Sequence, residues 1–136
     1  MPKEFLVVIP ARYKSSRFPG KPLIDINGKS MIRRVWERCI KASSEENVII
    51  ATDDKRIEEH CLKNGMQSII TSINCLTGTD RVAEVAKKIE ADIYINVQGD
   101  EPLVKPTDIQ KVIDFKKKYP NEVINGYTTM EEDEDP

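Results

Sequence analysis

Apolar residues in this chain fall into two patterns: short unbroken runs and stripes at helical spacing. The first run, Phe5-Leu6-Val7-Val8-Ile9, reads as a buried parallel strand over residues 4–9. Leu23-Ile24-Asp25-Ile26 alternates briefly and meets Asn27-Gly28, a strong turn signal. Ser30 caps a predicted helix through Ala42, with Met31, Ile32, Val35, Trp36, Cys39 and Ile40 on one stripe, which puts Trp36 in the core. Residues 47–52 form a second strand, ending in Asp53-Asp54. A helix to Asn64 follows, with Ile57, Cys61 and Leu62 inward and Gly65 as its stop. His60, on the polar side of that helix, is expected to be solvated.

Residues 66–71 make a third strand and residues 72–78 a polar loop. Thr79 or Asp80 starts a helix bearing Val82, Val85, Ala86 and Ile89. Strand four covers 92–97. Thr107-Asp108-Ile109-Gln110 looks like a capping box, opening a helix with Ile109, Val112, Ile113 and Phe115 inward and Pro120 as its end. A fifth strand covers 122–129, before the acidic run Glu131-Glu132-Asp133-Glu134-Asp135. A βα unit repeated four times, then β, predicts an α/β domain: one mostly parallel sheet with helices on both faces, spanning 1–136 as a single unit.

Composition narrows the function classes. With 136 residues, 39% hydrophobic and 32% charged, the chain has the balance of one globular domain. A net charge of −2 gives no overall basic field for nucleic acid or an anionic membrane. No apolar run approaches the roughly 20 residues of a spanning helix, and no signal peptide is visible, so the expected setting is the cytoplasm. Cys39, Cys61 and Cys75 are odd in number and fit neither a zinc spacing nor a disulfide framework, so they read as reduced thiols.

Against that average, the loop 10–22 after strand one stands out. Arg12, Lys14, Arg17 and Lys21 lie close together, Pro10, Pro19 and Pro22 stiffen the path, and Gly20 permits close backbone approach. Such a loop at a strand's carboxyl end suits a polyphosphate; a solvated basic surface loop has the same composition. In a doubly wound sheet of order 3-2-1-4, strands one and four are neighbours, and the crevice beyond their carboxyl ends is the usual ligand site. The loop 98–103 empties into the same crevice with Asp100 and Glu101. Cations beside carboxylates suggest a triphosphate with magnesium, although Asp100 also suits a turn before Pro102. Thr77-Gly78-Thr79-Asp80-Arg81, at a loop-to-helix junction, offers free N–H groups, hydroxyls and Arg81 to a polar ligand edge, or is an ordinary N-cap. A P-loop and a G-x-G-x-x-G after strand one are both missing, and the lone His60 leaves no hydrolase triad.

Three blocks of the sequence resemble the 3-deoxy-manno-octulosonate cytidylyltransferases, the CMP-KDO synthetases, within the wider CMP-sugar-acid nucleotidyltransferases. These are Val8-Ile9-Pro10-Ala11-Arg12-Tyr13 through Arg17-Phe18-Pro19-Gly20-Lys21-Pro22-Leu23, Thr77 through Val85, and Asn96-Val97-Gln98-Gly99-Asp100-Glu101-Pro102. Asp25 through Lys29 and Ala51-Thr52-Asp53 also fit. The resemblance implies a Rossmann-like nucleotidyltransferase fold and the joining of CTP to the anomeric hydroxyl of an eight-carbon 2-keto sugar acid, with release of pyrophosphate, for lipopolysaccharide or capsule synthesis. It implies that Arg12, Arg17 and Lys21 clamp the triphosphate. Pro10, Ala11, Thr79, Arg81 and Gln98 frame the cytidine, and Asp100 holds Mg2+. Arg12, Lys21 and Asp100 would be the catalytic set.

The resemblance also implies a homodimer, with no nucleic acid or membrane partner. Asp80 stands where the family often has glutamate. The family's chains run to about 250 residues as single domains, within the usual range for such folds. A second metal-binding aspartate and the sugar contacts are expected in the part not matched, so the fold is expected to be truncated here. A sialate-like sugar acid and a non-catalytic nucleotide-binding fragment are the alternatives.

Overall fold

The computed structural model describes residues 3–14, 19–75, 77–99 and 104–118. The expected fifth strand at 122–129, Pro120 and the acidic run lie outside the described residues. Ten elements follow in order: β1 (Lys3–Ala11), β2 (Asp25–Ile26), β3 (Lys29–Ser30), α1 (Met31–Ala42), β4 (Val48–Thr52), α2 (Lys55–Lys63), β5 (Ser68–Ile70), α3 (Gly78–Lys88), β6 (Ala91–Asn96) and α4 (Pro106–Lys118). Among the described residues β5-β4-β1-β6 form one sheet, in which every pairing is parallel. This is the expected order 3-2-1-4. It places the chain reversal between β1 and β6.

The unbroken apolar character of β1 follows from its position, because a central parallel strand is covered on both faces. Alternate side chains divide between two cores. Val7, Ile9 and Ala11 pack with Ile32, Val35 and Trp36 of α1, Ile57 and Cys61 of α2, and Ile109 and Ile113 of α4. Leu6 and Val8 pack on the other face with Ile49, Ala51 and Val85 of α3. Trp36 is buried, as its place on the stripe predicts.

Local chemistry sets most boundaries. Ser30 Oγ accepts from the Arg33 N–H and caps α1. Asn27 (φ 52°) and Gly28 (φ 92°) make the two-residue turn joining β2 to β3, where left-handed backbone is required. Asp54 caps α2 by accepting from the Arg56 N–H, and Gly65 (φ 69°) ends it.

Several expectations shift. β5 is shorter than 66–71, as suits an edge strand. α3 begins at Gly78 rather than at Thr79 or Asp80, because Thr77 and Asp80 exchange the reciprocal bonds of a capping box. α4 begins at Pro106, which is pre-shaped for the first helical position, so Thr107 lies inside the first turn instead of capping it. Leu62 is 72% exposed: it sits about 100° round α2 from Cys61, and Met66 fills the inner position. Phe115 is also exposed. His60 is half-buried and bonded to Ser30 Oγ at 2.6 Å, so it is not the solvated residue expected.

Candidate active site

The pairing of β1 with β6 ends at Val8 and Asn96, whereas its pairing with β4 continues to Ala11 and Thr52. Beyond Val8 the sheet therefore opens on one side only. Pro10 sits at this point. A proline inside a central strand would ordinarily cost a ladder bond, but β6 has already ended where the missing N–H falls. Two bonds hold the departing chain against β1, Val97 N–H to Val8 O (3.0 Å) and Gly99 N–H to Pro10 O (3.2 Å).

A cleft of about 130 Å³ lies in this opening. Pro10, Ala11 and Arg12 line it from β1, and Lys21 and Pro22 from the basic loop. Gly78 and Arg81 line it from α3, and Gln98 and Gly99 from beyond β6. The loop after β1, the start of α3 and the loop after β6 thus converge. Two glycines permit this. A Cβ at Gly78 would stand 3.0 Å from Gln98 Nε2, and one at Gly99 would stand 2.9 Å from Pro10 O.

Arg12, Lys21 and Arg81 give the cleft three cations and, among its described lining residues, no carboxylate. Gly78 and Thr79 carry first-turn N–H groups of the kind an α-helix leaves without intrahelical partners, at its positive end. An anionic ligand with polar edges fits such a wall. A second hollow of about 460 Å³ shares Arg12 and adds Lys14, Asp53, Asp54, Ile73 and Cys75.

Pro10, Ala11, Arg12, Lys21, Arg81 and Gln98 therefore line one cleft. Pro10 and Ala11 belong to β1 itself rather than to the loop after it. Thr79 is exposed on the first turn of α3, beside the cleft but not in its wall. Arg17 and Asp100 lie outside the described residues. Gly20 (φ 76°) serves the loop rather than a ligand: its N–H bonds to Tyr13 O at 2.6 Å, and a Cβ there would press on the Tyr13 ring at 3.1 Å. That ring in turn carries the Arg56 guanidinium 3.2 Å from its centroid.

Sequence reasoning gave Pro22, Gly78 and Gly99 no individual place in the site, and it missed the setting of Arg81. Arg81 is 1% exposed, and its partners come from the ends of two strands and the following loop. Burial pushes the Cys61 thiol up to about 12 and Cys39 higher still, and Cys75 is also raised, chiefly by burial. Among the described residues no helix is long and apolar enough to cross a membrane.

Comparison with known proteins bears on the family and the fold. The cytidylyltransferase family matches residues 6–135. The 3-deoxy-manno-octulosonate cytidylyltransferase of Escherichia coli is 50% identical over 108 residues, covering 79% of this chain and 44% of that one. That of Zea mays is 45% identical over 130 residues, covering 94% of this chain and 44% of that one. This chain thus spans less than half the length of either relative. A solved CMP:2-keto-3-deoxy-manno-octonic acid synthetase complexed with CTP superimposes with a TM-score of 0.83 at 46% identity, over 88% of this chain and 49% of that one. A nucleotidyl transferase from Methanothermobacter, at 19% identity and a TM-score of 0.68, shares the fold. The fold is the Rossmann-like one of the nucleotidyltransferases, and with nearly its whole length matched the chain belongs to the cytidylyltransferase family.

Proposed function

We propose that this chain carries the nucleotide-binding half of a cytidylyltransferase that joins CTP to 3-deoxy-manno-octulosonate and releases pyrophosphate. The observation that carries the reading is the cleft where β1 and β6 part, whose described lining brings three cations together. Kinship with octulosonate cytidylyltransferases supports the choice of nucleotide and sugar. In this reading Arg12 and Lys21 hold phosphate oxygens, joined by Arg17. Arg81, Gln98 and the backbone at Pro10 and Ala11 frame the cytidine, with Thr79 at the rim. The sugar's anomeric oxygen bonds to the α-phosphorus as the α–β anhydride bond breaks, so no covalent enzyme intermediate forms. The residues act by placing the reactants and by neutralising the leaving pyrophosphate.

Magnesium is the ion that this reading pairs with Asp100. Asp100 directly follows Gly99, which is tied to Pro10 O at the cleft, and an ion shared with nucleotide phosphates needs only one or two protein carboxylates. Among the described residues no three His, Cys, Asp or Glu side chains form a cage of their own. Asp100 would hold the ion, which supplies charge neutralisation on the phosphates. A homodimer in the cytoplasm, feeding lipopolysaccharide synthesis, belongs to the same reading and rests on the kinship alone.

A thermal-shift titration tests the binding step. Mg·CTP should raise the melting temperature, and Lys21→Ala should weaken affinity about tenfold to a hundredfold, the equivalent of a lost charged hydrogen bond. No shift at millimolar CTP would remove even a binding role. Pyrophosphate release with CTP and the octulosonate, run beside a version extended at the carboxyl end, separates a complete enzyme from a binding half.

A further inference from the structure

Arg81 is a charged side chain with 1% exposure. A buried cation must be held by partners, and those of Arg81 are unequally distributed. Nη1 donates to Thr71 Oγ1 at 2.6 Å and more weakly to Ser72 O at 3.4 Å. Nη2 lies 3.6 Å from Asp53 Oδ2, an ion pair too long for a hydrogen bond. Nε and Nη2, both buried, have no hydrogen-bond acceptor among the described residues. One edge of the guanidinium is thus fastened from behind, and the other keeps its donors while the residue lines the cleft.

The fastening is itself well supported. Thr71 follows β5, is buried, and its N–H bonds to Thr52 O at 2.8 Å. Asp53 follows Thr52 at the end of β4. The Ser72 N–H is gripped by both Glu84 oxygens at 2.9 and 3.1 Å, one turn of α3 beyond Arg81.

We propose that Asp53 and Thr71 are positioning residues that aim the Nε–Nη2 edge of Arg81 at the base of a bound nucleotide, and that this aim discriminates cytosine from uracil. The inference rests on the nucleotide reading of the cleft. Two adjacent N–H donors match the adjacent acceptors O2 and N3 of cytosine. Uracil carries a hydrogen on N3, so one donor of a fixed arginine edge would meet another donor. A mobile arginine can swing away from that clash, whereas a fastened one cannot. Discrimination therefore depends on the residues behind Arg81 as much as on Arg81 itself.

The test compares affinities of the purified chain for CTP, UTP and inorganic tripolyphosphate, each with magnesium. Wild type should prefer CTP to UTP at least tenfold. Thr71→Val should lower CTP affinity about tenfold and UTP affinity much less, leaving tripolyphosphate unchanged, and Thr71→Ser should restore the preference. Asp53→Asn should act in the same direction, and serves if Thr71→Val does not fold. A folded Thr71→Val or Asp53→Asn protein with the wild-type CTP preference overturns the inference, as does a parallel loss for all three ligands, which a purely structural ion pair would give. Wild type that binds CTP and UTP equally overturns this inference and leaves nucleotide binding standing. Wild type that binds none of the three overturns both.

Discussion

Gly99 lies so close to Pro10 that a Cβ at position 99 would stand 2.9 Å from the Pro10 carbonyl oxygen and 3.4 Å from the Ala11 Cβ. The obstacle is backbone at the end of the central strand, so it cannot turn aside. Gly99→Ala should therefore push the chain after β6 away from β1 and break the Gly99–Pro10 hydrogen bond. A destabilisation of about 1–3 kcal/mol is expected, as for overpacking elsewhere, read as a lower midpoint in urea unfolding. An unchanged midpoint would mean that the two loops do not meet as described.

Gly78 makes the opposite prediction at similar crowding. Its Cβ would meet the end of the Gln98 side chain at 3.0 Å and Pro10 Cγ at 3.3 Å. Gln98 can rotate away, and alanine is well suited to the first turn of α3. Gly78→Ala should leave stability within about 0.5 kcal/mol of wild type while weakening CTP binding, because Gln98 is displaced in the cleft. Loss of stability without loss of affinity would contradict the placement of Gln98.

His60 gives a pH dependence. Its contacts are jointly satisfied when Nε2–H donates to Ser30 Oγ (2.6 Å) and Nδ1 accepts from Asn64 Nδ2 (3.4 Å). A second proton would then enter at Nδ1, facing an amide donor. Burial, and then the cations Arg33 and Lys63, hold the imidazole below its ordinary 6.5. The neutral form is favoured in the folded chain, so the stability it contributes is full above about pH 6.5 and is lost as pH falls through the lowered native value. His60→Gln should cost about 1 kcal/mol at pH 7 and less at pH 5, measured by unfolding at both. An equal cost at the two values would show that the ring does not titrate in this way.

Features encoded by near neighbours were legible from sequence. The cap of α1 at Ser30 and the Asn27-Gly28 turn are such cases, and the sheet order followed from the βα alternation with right-handed crossovers. Two threonines show the limit of local pattern. Thr77 and Thr107 each stand three positions before a polar partner, Asp80 and Gln110. Pro106 had already fixed the start of α4, so only Thr77 caps. Contacts between distant segments were not legible. The bond from His60 to Ser30 spans 30 positions and that from Arg81 to Thr71 spans 10, the latter joining a strand end to a different helix. Periodicity reports which face a residue occupies, not which polar group meets it there. The cationic loop could be read from sequence, but its convergence with Gly78 and Gly99 depended on where β6 stops pairing with β1.

The central claim is that the end of β1, the start of α3 and the chain after β6 enclose one nucleotide. Backbone amide NMR shifts during a Mg·CTP titration test it most directly. The account predicts that Ala11, Arg12, Lys21, Gly78, Arg81 and Gly99 shift together along a single binding curve, with α1 and α4 little affected. Shifts concentrated on α1 and α4, or none at millimolar CTP, would contradict it.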